Sequence, residues 1–167
     1  MTDSRTVVAG ATEAGGSRRR AHAGYRWLLV VFLVAGGVQI FLAGFGVFHL
    51  HAYGLDATAG DSALTPHRVL GSVMAGIALL IVAFAVAARS GGRAIGLAVV
   101  LLALTSLVQS LLAGLADDHA VYGGLHALDG LAIIAIAGYL LYSATRTRRD
   151  GGRRSERLPD REARESR

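Results

Sequence analysis

VQSLLAGLADDHAVYGGLHALDGLAIIAIAGYLLYSATR, residues 108–146, decides the fold, because its outline occurs earlier in the same chain. It reads VQSLLAG (108–114), an acidic turn with Asp117 and Asp118, HALDG (126–130), and an apolar run that closes at Arg146. Residues 38–89 keep the same order: VQIFLAG (38–44), a loop with Asp56 and Asp61, HRVLG (67–71), and an apolar run that closes at Arg89. Each half is a helix ending in small residues, followed by a helix that opens on His-x-x-x-Gly. The pattern predicts a tandem repeat of a helix pair.

Composition sets the solvent. Of 167 residues 53% are apolar and 17% charged, with the charge concentrated at the two ends, and a soluble domain of this size needs a more polar exterior. The expected partner of the apolar surface is a lipid bilayer. All 17 basic residues are arginine. Cysteine is absent, which excludes disulfides, thiolate metal sites and cysteine nucleophiles. A sequence pI near 10.4 raises nucleic acid as a partner. Because the arginines border apolar runs, membrane topology accounts for them and nucleic acid is not expected.

Spanning a bilayer takes about 20 apolar residues at a 1.5 Å rise. Segments 26–48, 68–88, 94–116 and 121–144 qualify, and short connections predict an all-α, up-down-up-down transmembrane four-helix bundle over residues 26–145. Residues 1–25 and 146–167 have no apolar period and read as disordered tails. Arg18, Arg19 and Arg20 resemble a signal-peptide head, but the apolar run after them is too long for a cleaved leader. Arg5, Arg18 to Arg20, Arg89, Arg93, Arg146, Arg148 and Arg149 fall on one side, and Asp56, Asp61, Asp117 and Asp118 on the other. The positive-inside rule then places both termini in the cytoplasm of a multi-pass plasma-membrane protein.

In such a bundle the second and fourth helices are diagonal, with His67 and His126 at equal depth near the outer leaflet. Gly44 and Gly114 lie near that level on the neighbouring helices, and Gly71 and Gly130 stack one turn inward of the histidines. Two facing imidazoles between small-residue walls are what a bis-histidine haem requires. Arg68, beside His67, suits a propionate, and Asp129 suits orientation of an imidazole or pairing with Arg68. The candidate site is therefore His67 and His126 as iron ligands, with Gly44, Gly71, Gly114, Gly130, Arg68 and Asp129 around them.

Plainer roles exist for every one of these residues. Small residues let membrane helices approach closely, and Gln39 and Gln109 can serve as interhelical hydrogen-bond donors. A haem-free structural or assembly subunit is the alternative, and a small transporter using Asp129, Gln39 and Gln109 is a third reading. His49, His51 and His119 with Asp117 and Asp118 could bind zinc or copper, though their irregular spacing reads more simply as solvated loop. No hydrolase triad, phosphate loop or nucleotide fingerprint is present.

The two His-x-x-x-Gly helix starts, HRVLG above all, with the Gln-containing small-residue segment before the second, resemble one half of a haem A synthase. The chain is also similar to a family of small four-helix membrane proteins of unassigned function that carry AGFGVF and LHALDG. The first resemblance implies one b-type haem held by His67 and His126, for electron transfer or haem handling, and it identifies neither a redox partner nor a quinone. Where that family has an acidic residue one turn before the first ligand, this chain has Ala63, Leu64, Thr65 and Pro66. The paired cysteines of its outer loop are also missing, so the resemblance argues against haem hydroxylation. A homodimer would rebuild the eight-helix arrangement.

Overall fold

The computed structural model describes the backbone of residues 4–53, 57–116 and 118–165, and the side chains of residues 15–52, 62–116 and 118–146. Asp56, Asp61, Asp117, Arg5, Arg148 and Arg149 fall outside the residues whose side chains are described, as do tail segments 1–14 and 147–167. The described chain is all helical: α1 Ser4–Tyr53, α2 Ala57–Ala87, α3 Gly92–Ala103, a π-helical turn Leu104–Val108, α4 Gln109–Ala116 and α5 Ala120–Glu165. The pieces α3, π turn and α4 run on as one rod.

Four stretches are long and apolar enough to cross a bilayer: Gly15–Ala52, Ser62–Ala87, Gly92–Ala116 and Ala120–Arg146. The protein is a multi-pass membrane protein. Its outer surface agrees, because Trp27, Phe41, Phe48, Leu107, Leu111 and Val121 are all exposed, as expected where lipid replaces water. The helices start earlier than the sequence suggests. His67 lies inside α2, which opens at Ala57, and His126 lies inside α5, which opens at Ala120. Pro66 is carried within α2, past its first two turns, where a proline removes one bond from the helix's hydrogen-bond ladder.

The helices close a ring. α1 packs against α2 and α5, and the third span also packs against α2 and α5, so α2 and α5 are diagonal. The interior is a seam of residues alternately four and three apart. On α2 it runs Met74, Ala78, Ile81, Ala85; on α5 Ile133, Ala137, Leu140, Ala144; on α1 Tyr25, Leu29, Phe32; on α3 Ala98, Leu101. This is the heptad spacing that packs knobs into holes between helices. All these buried side chains occupy one half of the bundle, the half that ends in arginines. In the other half α4 has no buried residue, and the inward positions are half-buried.

Between α2 and α3 the chain reverses within residues 88–91. Arg89 N–H bonds Val86 O (2.9 Å) and Ser90 N–H bonds Ala85 O (3.0 Å), with Arg89 in the left-handed region at φ 51. That pair of bonds is a Schellman cap, whose left-handed position ordinarily holds glycine. Here glycine comes two residues later, at Gly91 (φ 90).

Candidate functional site

Extending the seam past the packed half leads directly to the site. On α2 the step before Met74 is Gly71 and the next is His67. On α5 the same two steps from Ile133 give Gly130 and His126. On α1 the steps beyond Phe32 are buried Gly36 and then Gln39. Heptad spacing therefore turns two histidines, two glycines and a glutamine inward at one level.

The third span reaches that level with a correction. Its seam runs Ala98, Leu101, Thr105, and the next three-residue step would be Val108, a residue short of Gln109. The π turn absorbs the difference. Gln109 N–H bonds Leu104 O, five residues back, so one extra residue is held in the turn and Gln109 swings into the seam. The hydroxyls of Thr105 and Ser106 donate to Leu101 O and Leu102 O, both at 2.7 Å, bonding the last carbonyls of α3 just before the turn, where the ladder changes register.

Each glutamine clasps a histidine on the neighbouring helix in the same way. Gln39 Nε2 donates to His67 O at 2.9 Å, and His67 Nδ1 lies 3.2 Å from Gln39 O. Gln109 Nε2 donates to His126 O at 3.1 Å, and His126 Nδ1 lies 3.2 Å from Gln109 O. A carbonyl only accepts, so both rings carry their proton on Nδ1 and keep a lone pair on Nε2. A backbone carbonyl on one ring nitrogen is the usual way a metal-binding histidine is oriented. The two clasps differ at one point: Gln39 Nε2 is also 3.4 Å from His67 Nε2.

Although α2 and α5 make no close backbone approach, the His67 and His126 rings meet across the diagonal, with centroids 6.1 Å apart and planes at 61°. Imidazoles that share one metal through bonds of about 2 Å have ring centres about 6 Å apart. The spacing fits. Among the described residues no three His, Cys, Asp or Glu side chains converge, so a bare ion would lack ligands. Two histidines suffice for a metal that arrives with its own equatorial ligands, as haem iron does.

The surrounding residues take distinct places. A Cβ on Gly71 would sit 3.2 Å from Gln39 Nε2, and one on Gly130 would sit 3.4 Å from Gln109 Nε2. These glycines clear the space that the amides occupy. Gly44 and Gly114 stand beside the seam, and a Cβ on either would meet open space. Arg68 is exposed. Among the described residues the buried Oδ2 of Asp129, one turn along from His126, has no hydrogen-bond partner, and neither do Gln39 Oε1 and Gln109 Oε1. Three orphaned acceptors around one layer call for donors, and ordered water is the usual source.

His49 and His119 are elsewhere. His49 stacks on Phe45 at 5.6 Å and His119 tilts against Tyr122 at 6.1 Å, and His51 is exposed. No family model matches the chain, and neither does any curated protein or solved structure.

Proposed function

We propose that this protein is a haem-binding membrane protein, in which His67 and His126 would hold the iron of one b-type haem for electron transfer or haem handling. The observation that carries the reading is the 6.1 Å separation of two rings whose Nδ1 atoms are both tied to a glutamine carbonyl. The histidine half of the bundle supports it in that its inward positions are half-buried and α4 buries no residue, so large core side chains do not close that layer. In this reading the chain is an up-down-up-down bundle duplicated from one helix pair, with the repeat axis along the membrane normal. Its arginine end faces the cytoplasm. The likeness to half of a haem A synthase belongs to the same proposal.

When bound, haem supplies one-electron redox chemistry. The chain's own residues do the rest. His67 and His126 would hold the iron through Nε2, and the backbone carbonyls of Gln39 and Gln109 fix their tautomer and ring angle. Gly71 and Gly130 give the Gln39 and Gln109 side-chain amides room. Arg68 supplies a cation for a propionate at the membrane boundary.

A second reading has its own observation. Gln39 Nε2 faces His67 Nε2 at 3.4 Å, so a haem-free bundle could use the two Gln-His clasps as interhelical fasteners alone. The visible spectrum of full-length protein purified from haem-replete cells separates the two. Haem binding gives a Soret band and reducible α and β bands that His67→Ala and His126→Ala each abolish. A colourless preparation that stays colourless with added hemin leaves only the fasteners.

A further inference from the structure

The opposite end of the bundle carries a second site that involves neither His67 nor His126; His22 is among its lining residues. A cavity of about 710 Å³ opens there between α1, the α2–α3 turn and α5, within the roughly 300–1,000 Å³ typical of small-molecule sites. Arg18, Arg19, Arg89 and Arg93 line it, and among the described residues its lining holds no acidic side chain. Arginines at a membrane boundary are ordinary topology signals, so their presence alone says nothing about a ligand.

Two further features do. Tyr25 also lines the cavity; it is only 1% exposed, yet among the described residues neither its hydroxyl nor Ser90 Oγ at the turn has a hydrogen-bond partner. A buried hydroxyl without a partner costs on the order of 1–3 kcal/mol, so this layer lacks an acceptor. In addition α3 begins at the cavity wall with Gly91 as its N-cap and no side chain capping the first turn. The free amides of a helix start favour an anion.

Depth identifies the ligand class. Trp27 lies two residues beyond Tyr25 and is 69% exposed, and Tyr139 shares the cavity wall beneath the Arg93 guanidinium at 5.3 Å. Tryptophan and tyrosine mark the headgroup level of a bilayer, and basic pockets between membrane helices at that level accept anionic lipid headgroups. Ala88, Ala94, Leu97, Leu140 and Ala144 supply apolar wall for the glycerol end of an acyl lipid.

We propose that the arginine end of the bundle is a binding site for the phosphate headgroup of an anionic phospholipid. Arg18, Arg19, Arg89 and Arg93 provide charge, and Tyr25, Ser90 and the start of α3 donate hydrogen bonds. The site acts as an anchor that fixes α1 and α5 against the α2–α3 turn from the headgroup layer.

The test is native mass spectrometry of the full-length protein in detergent, titrated with phosphatidylglycerol or phosphatidylcholine of matched chains. Wild type should retain the anionic lipid at least tenfold better than the zwitterionic one. Arg93→Gln and Tyr25→Phe should each lower that preference threefold or more, and Arg89→Gln with Arg93→Gln should remove it. Arg20→Gln removes a charge from the same end outside the cavity and should leave the preference within twofold of wild type. Equal retention of both lipids by wild type would overturn the proposal, as would a loss in Arg20→Gln equal to that in Arg93→Gln. Glycerol phosphate displacing the lipid at millimolar concentration would reassign the cavity to a soluble phosphate ester, which also overturns it. Tyr25→Phe keeps the ring that packs the core, so an unchanged preference there cannot be blamed on misfolding and counts against the hydroxyl.

Discussion

Gly71→Ala isolates the contact that orders the histidine layer. The added methyl would stand 3.2 Å from Gln39 Nε2, and that amide is held by its 2.9 Å bond to His67 O. The amide must shift by a few tenths of an ångström, which strains or breaks the bond. An interhelical hydrogen bond in a membrane contributes about 0.6 kcal/mol on average and about 1.7 kcal/mol at most. Replacing glycine by alanine in a helix separately returns roughly 0.5–1 kcal/mol. Gly44→Ala shows that return alone, because its methyl meets open space. Gly71→Ala should therefore be less stable than Gly44→Ala by about 0.6–1.7 kcal/mol, a three- to twentyfold difference in the folding constant. Unfolding in mixed micelles of rising dodecyl sulfate fraction, followed by circular dichroism, gives the number. In a Gln39→Ala background the difference should vanish, since no amide is left to collide with. If it persists there at full size, the glycine is not clearing space for Gln39 and the account of the layer is wrong.

Three further variants test the seam and the α2–α3 turn. Deleting Leu107, which is 70% exposed in the π turn, should restore a regular α-helix while keeping Gln109 in the seam, so the clasp on His126 and the haem content persist. Deleting Val38 from α1, where no extra residue is stored, should swing Gln39 by about 100° off the seam and at least halve the haem retained on purification; equal outcomes would dispose of the seam. Arg89→Gly should stabilise the fold by up to about 1 kcal/mol, because a left-handed non-glycine residue costs roughly 1–2 kcal/mol and glycine's extra chain entropy takes back part of it. The same variant should bind anionic lipid less well; a fall in stability would mean that the Arg89 side chain holds the turn together.

The four spans were legible from apolar run length alone, since a bilayer imposes one length on every crossing. The meeting of His67 with His126 across the bundle was legible too, because HRVLG and HALDG put the same residue types at the same depth. Where the packed half lies was not. Helices bathed in lipid are apolar all round, so Leu29 and Val31, or Ile81 and Leu80, look alike in sequence although only the first of each pair is buried. Gly44 and Gly46 illustrate the same limit. The sequence points to Gly44 as the small-residue wall, but Gly46 is the one against α2, where an added Cβ would meet Ala63 O at 3.2 Å and the Leu64 side chain. The π turn was hidden because Leu104, Thr105 and Ser106 carry no breaker signal; only the one-residue excess between Thr105 and Gln109 betrays it once the seam is known. Ser90, Gly91 and Gly92 mark a turn, yet nothing in that run says that Arg89 takes the left-handed position. The arginine cavity escaped for a related reason: its residues come from three separate stretches, each explained by topology when read singly.

Electron paramagnetic resonance of the ferric protein tests the central claim most directly. Two imidazoles on one iron give a low-spin signal, and removing either His67 or His126 should replace it with a high-spin signal or leave the protein without haem. A preparation that takes up no haem, or a low-spin signal that survives in His67→Ala with His126→Ala, would contradict the assignment.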